Sequence, residues 1–344
     1  VTVAGPMLEE PARVVRSRVA PSTANDTPRE VAADKARSGP WLRTREAAAE
    51  FWIWALAKLS EHAPWFVRAA KPLVIDGIWY CSLSIRRGTL ANARRILGDT
   101  STHAQRVRMG KGVIASFYEF FAEVGRNSKR TRQEMLVEVE QVIGHDKYVA
   151  ARACGRGAVV AVAHMGSFEV ATAAMRDMEP SIHVVFKRDP RAHWERLRQT
   201  LHRKLEVHET PVDDGWGIWY HLRDRLRNNE VVLIQADRVM PGQRGVKLPF
   251  LHGHLEVPTG PVKLAMAAGC PVIPVFAVRV GPRSIRIIIE DAIEVDGGPS
   301  DIGPRSGAHP ALLQLTALIA KYVKQYPEQW LLLNPAFAED QESA

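Results

Sequence analysis

Cysteine is scarce: the 344 residues hold three, Cys81, Cys154 and Cys270, far apart and without metal-ligand spacing. That excludes a disulfide framework and a Cys-rich zinc site, and a reducing, cytosolic setting is expected. Long apolar runs are lacking too. The hydrophobic region from 51 to 80 is broken by Lys58, Glu61, Arg68, Lys71 and Asp76, so no window of about 20 apolar residues is available to span a bilayer. No secretory leader is expected, because Val1 to Pro21 carries Glu9, Glu10 and several Arg where an apolar core would be needed. There is no Gly-x-Ser-x-Gly elbow to supply a strained serine nucleophile. His-Glu-x-x-His is also missing, although the chain has twelve histidines, so neither a metal nor a cofactor is expected.

What is present is enough apolar material for a sizeable core: 46% hydrophobic and 24% charged residues. The length suits about two domains, or one large α/β domain with an N-terminal appendage. Charge is unevenly placed. Residues 86 to 132 hold eleven Arg or Lys against Asp99, Glu119 and Glu123, a net +8 that equals the excess of the whole chain. Such a field attracts anionic partners: a membrane surface, nucleic acid, or acidic carrier and phosphate-bearing substrates. Nucleic acid is disfavoured by the lack of a zinc finger, an RNP-type aromatic motif or a Walker A sequence.

Residues 1–44, rich in Pro, Ser, Thr and Ala, read as a poorly ordered tail. Residues 45–150 read as a helical region that associates with membranes. Its aromatic segment, with Phe51, Trp52, Trp54, Trp65, Phe66, Trp79 and Tyr80, suits either a lipid headgroup layer or the core of a helical bundle. A further helix is predicted over 103–126. From 151 to 335 the pattern alternates: strands near 158–163, 182–186, 231–236, 272–278 and 285–289, and helices near 168–178, 191–206, 216–227, 260–268 and 310–325. This alternation predicts an α/β core with a largely parallel sheet flanked by helices. Ligands of such sheets sit at the carboxyl ends of the strands.

One such end is Val162-Ala163-His164-Met165-Gly166-Ser167-Phe168-Glu169. Imidazole titrates near neutrality, so His164 is a candidate general base. Glu169, in the first turn of the next helix, is a candidate to hold the far ring nitrogen, as the acid of a triad does. Gly166 is expected to admit substrate closely, and Ser167 to cap the helix. A strand-end histidine that only bonds backbone is the plainer alternative.

The surrounding blocks resemble the lipid A lauroyl and myristoyl acyltransferase family, related to the phosphatidylinositol mannoside acyltransferases. His164 to Glu169 matches its His-x4-Asp/Glu motif. Phe186-Lys187-Arg188-Asp189-Pro190, followed by Arg196, Arg198 and Arg203, is similar to its second block. Asp237-Arg238, Gly242, Gly245, Pro249-Phe250 and Pro258-Thr259-Gly260-Pro261 are similar to its third. Gly269-Cys270-Pro271-Val272-Ile273-Pro274-Val275 and Tyr326-Pro327-Glu328-Gln329-Trp330 resemble the last two. Arg238 stands where lipid A enzymes often have Gln, and no Arg pair follows Trp330.

The resemblance implies a glycerolipid-acyltransferase-like fold and an enzyme that moves a fatty acyl chain to a hydroxyl of a glycolipid or lipid A-type precursor. The donor is an acyl thioester, on acyl carrier protein or coenzyme A. His164 and Glu169 are the implied catalytic pair. Lys187, Arg188, Asp237, Arg238, Thr259 and Gly260 join Gly166 as candidate substrate-binding residues, the arginines because a guanidinium fork matches phosphate oxygens. The expected location is peripheral, on the cytoplasmic face of the inner membrane. A thioester or ester hydrolase is the main alternative.

Overall fold

Every residue from Ala158 to Val162 is almost wholly buried. Such a strand needs cover on both faces, and the chain supplies it with helices. The computed structural model describes residues 40–189, 191–240, 243, 245–303 and 308–341. Four long helices come first: α1 (Pro40–His62), α2 (Pro64–Cys81), α3 (Leu83–Leu97) and α4 (His103–Asn127). A short α5 (Arg132–Leu136) leads into β1 (Val139–Ile143) and α6 (His145–Arg152). The alternating part runs β2 (Ala158–Val162), α7 (Phe168–Met178), β3 (Ile182–Phe186), α8 (Ala192–Leu205), β4 (His208–Pro211), α9 (Gly217–Arg227) and β5 (Val231–Gln235). It closes with the hairpin β6 (Val246–Phe250) and β7 (Gly253–Val257), then α10 (Gly260–Ala268), β8 (Val272–Gly281), β9 (Ser284–Ile289), α11 (Pro310–Gln325) and α12 (Ala338–Gln341).

Seven strands form one sheet in the order β1-β9-β8-β2-β5-β3-β4, in which only the β8/β9 pairing is antiparallel. Side chains of a strand alternate between faces. Accordingly Val159 and Ala161 enter one core, with residues of α10 and α11, while Ala158, Val160 and Val162 enter another, with residues of α7 and α8. The expected α/β class, parallel sheet and N-terminal helical region are all present.

Helix α4 organises the N-terminal region, packing against α1, α2 and α3. Its start is a capping box: Gln105 N donates to the Thr102 hydroxyl, and Thr102 N donates to the Gln105 side chain at 2.7 Å. Gly125 lets α1 approach closely, since a β-carbon there would sit 2.7 Å from Ala57 Cα. Three details depart from the sequence expectations. Helix α1 begins at Pro40, within the segment read as a tail, and residues 1–39 of that tail lie outside the described residues. Strand β1 joins the sheet from upstream of residue 151. The segment after β5 forms the β6–β7 hairpin, where Gly245 is placed but Gly242 is outside the described residues.

Candidate active site

Strands β2 and β5 are parallel neighbours, with Val162 opposite Gln235. Two residues beyond each, at the carboxyl edge of the sheet, stand His164 and Asp237. Nδ1 of His164 lies 2.7 Å from Oδ1 of Asp237. The other carboxylate oxygen accepts from Trp330 Nε1 at 2.8 Å. An ionised carboxylate can only accept, so the ring proton lies on Nδ1 and Nε2 keeps its lone pair. Burial lowers the pKa of His164, more than Asp237 raises it, and the nearby Arg238 charge lowers it further. Burial pushes Asp237 upward, but the charges of His164 and Arg238 and the donated hydrogen bonds outweigh it, so Asp237 stays well below the usual carboxylate range. A neutral imidazole aimed by a buried carboxylate is the arrangement of a general base.

The turn carrying His164 is pinned from outside. Leu331 N donates to the His164 carbonyl at 2.7 Å, Gly166 N to the Gln329 carbonyl at 3.0 Å, and Ser167 N to the Ala277 carbonyl at 3.2 Å. Gly166 has a φ of +55°, and a β-carbon there would lie 2.1 Å from Ala277 O. This glycine therefore serves the close packing of the turn on β8. Arg279 of β8 donates to the Gly166 carbonyl at 2.8 Å and to Glu123 of α4 at 2.9 Å. Ser167 also donates to Glu123. Ser167 makes no side-chain cap bond and is fully buried, which removes it as a nucleophile.

Glu169 takes a different partner from the one expected. Its Oε2 lies 3.4 Å from Nε2 of the buried His202 on α8, whose Nδ1 is 3.0 Å from Glu209. Arg198 completes the cluster, 2.5 Å from Glu209 and 2.6 Å from Glu195, its guanidinium stacked 3.5 Å over the Phe186 ring. Burial opposes the charge on His202, but Glu169 and Glu209 prevail and raise its pKa to about 9. The reason is helical geometry: Glu169 begins α7 and projects toward α8, while His164 precedes the helix and meets the next strand's turn. Asp237, expected among the substrate-binding residues, takes the position against His164 Nδ1.

The other candidates lie at the ends of several elements. Arg238 brings Nε to 3.0 Å from His164 Nδ1. Arg188 is already engaged, gripping Asp214 at 2.6 and 3.2 Å. Lys187, just past β3, is exposed. Thr259 and Gly260 open α10. Pro190 lies outside the described residues. Sequence reasoning missed Glu123, Arg279 and the parts played by Gln329 and Trp330, although the last two sit in the Pro-Glu-Gln-Trp block.

The family model for bacterial lipid A biosynthesis acyltransferases matches residues 71–339. The chain belongs to that family. This acyltransferase is also 26% identical over 230 residues to a phosphatidylinositol mannoside acyltransferase of Mycobacterium tuberculosis (strain ATCC 25618 / H37Rv), covering 66% of this chain and 69% of that one. It is 25% identical over 234 residues to a protein of the same description from Mycolicibacterium smegmatis, covering 66% and 71%. The family match spans the sheet and every residue of the His164 site.

Proposed function

We propose that the acyltransferase moves a fatty acyl chain from an acyl thioester, on acyl carrier protein or coenzyme A, to a hydroxyl of a glycolipid or lipid A-type acceptor. His164 acts as general base in this reading: Nε2 takes the acceptor's hydroxyl proton as the oxygen attacks the thioester carbonyl, and the thiol leaves. Asp237 holds Nδ1 and stabilises the imidazolium that forms. The observation that carries the reading is the chain Trp330–Asp237–His164 at the shared edge of β2 and β5. The names of the relatives support a glycolipid acceptor. Mass spectrometry of lipids from cells with and without the protein tests it. A glycolipid heavier by one acyl group only when the protein is present is expected; unchanged glycolipids would count against the acceptor class.

The acyltransferase also works from a membrane surface in this reading. None of the described helices is long and apolar enough to cross a membrane. Yet Trp52, Trp65, Leu73 and Tyr80 on α1 and α2 are 68%, 67%, 78% and 69% exposed, while Trp79 turns into the core. Arg86 and Arg87 follow on α3. An apolar signal and a basic one together suffice for peripheral binding. Flotation with anionic liposomes is expected, weakening with salt and with neutral lipid. Equal flotation with neutral vesicles at high salt would remove the charge from the account.

A further inference from the structure

Two groups compete for one ring nitrogen. Oδ1 of Asp237 lies 2.7 Å from Nδ1 of His164, and Nε of Arg238 lies 3.0 Å from the same atom. That nitrogen offers either a proton or a lone pair, so it satisfies the carboxylate or the guanidinium but not both. With the proton given to Asp237, Arg238 is left without a hydrogen-bond acceptor on the ring; Asp237 offsets its charge only through space, and a cation there opposes a second proton on the imidazole. This approach to His164 Nδ1 is the one close polar contact of Arg238 among the described residues, and it involves Nε alone, so neither Nη group has a partner there and both are placed to take an anion. Among the described residues Asp237 is the carboxylate that acts on Arg238. Glu123 of α4 and Arg279 of β8 pair with each other beside Ser167, Glu169 of α7 faces His202, and Phe168 and Trp330 bring neutral rings.

We propose that Arg238 is a positioning residue that makes the basicity of His164 depend on anion binding. In the empty site its charge holds down the proton affinity of the ring. A phosphate-bearing substrate that engages the Nη groups neutralises that charge, and His164 becomes a stronger base when the substrate is in place. This rests on the reading of His164 as the base. A guanidinium suits the task because it stays charged while its planar fork takes phosphate oxygens.

The test is an NMR titration of the His164 ring, its signal assigned by its loss in His164→Gln, with and without inorganic phosphate. Chloride at equal ionic strength controls for screening. Arg238→Gln is expected to raise the midpoint by about one to two pH units. Phosphate raises the wild-type midpoint and leaves that of Arg238→Gln in place. Arg238→Lys, which keeps the charge, keeps the low midpoint and so separates charge from any loss of folding. In turnover, the acid limb of kcat/KM moves to higher pH in Arg238→Gln by the same amount. Equal midpoints in wild type and Arg238→Gln, or an equal phosphate effect in both, overturn the proposal. Full transfer by His164→Gln would instead overturn the reading of the base, and the ring titration would still report on Arg238.

Discussion

His164→Ala is expected to lower acyl transfer by about 10²–10⁴-fold, the usual contribution of a positioned general base. No neighbour can take over. Asp237 is buried and committed to Trp330, Ser167 is sealed against Glu123, and Arg238 carries no lone pair to accept a proton. Donor binding should be nearly unchanged, because the loss falls on proton removal during attack, so kcat drops and KM does not. Initial rates with the folded variant, its integrity checked by thermal unfolding, decide this. Normal turnover would sink the mechanism.

Asp237→Asn is expected to cost nearly as much, about 10²–10⁴-fold, because an amide can donate to Nδ1 and stabilise the tautomer with its proton on Nε2. Glu169→Gln separates the two carboxylates. Its loss of transfer is expected to be smaller, with the pH profile unmoved, and its main effect to be on stability. With a folded pKa of about 9 for His202 against an ordinary 6.5, its pairing with Glu169 and Glu209 together, net of burial, contributes roughly 3 kcal/mol, of which Glu169→Gln removes a part. That contribution is fully present below pH 6.5, where both states hold the proton. It declines as pH rises and is gone above about 9, so denaturation midpoints of Glu169→Gln and wild type should converge at alkaline pH. A Glu169→Gln variant that shifts the kinetic pH profile would return Glu169 to the ring of His164.

The parallel sheet was legible because its strands are short apolar runs buried on both faces, and each helix between them shows one apolar side. Strand β4, His208-Glu209-Thr210-Pro211, escaped because it is polar and at the sheet edge. The β6–β7 hairpin turns at Leu251-His252, without the Gly or Asn that usually marks such a turn. His164 was legible because it ends an apolar strand. Its partner was not, because the contact depends on strand order: β5 inserts between β3 and β2, bringing together residues 73 apart in the chain. Glu169, five residues away, was the natural local choice, but the rotation of α7 gives it to α8. Whether the aromatics of 51–80 face in or out was also undecidable from spacing, since Trp79 is buried and its neighbour Tyr80 exposed.

The central claim, direct transfer by a His164–Asp237 base, is tested most directly by giving the purified protein a labelled acyl thioester, first alone and then with an extract of glycolipid acceptor. A covalent route would need a nucleophile beside a base. Ser167 is buried, and Cys154, ahead of β2 at the far end of the strand, is about 20 Å from His164 by strand rise. The account predicts no stoichiometric label on the denatured chain without acceptor, little free fatty acid, and label in the glycolipid once acceptor is added, all of it lost in His164→Ala. A hydroxylamine-sensitive acyl adduct on the chain, or rapid release of free fatty acid with no transfer, would contradict it.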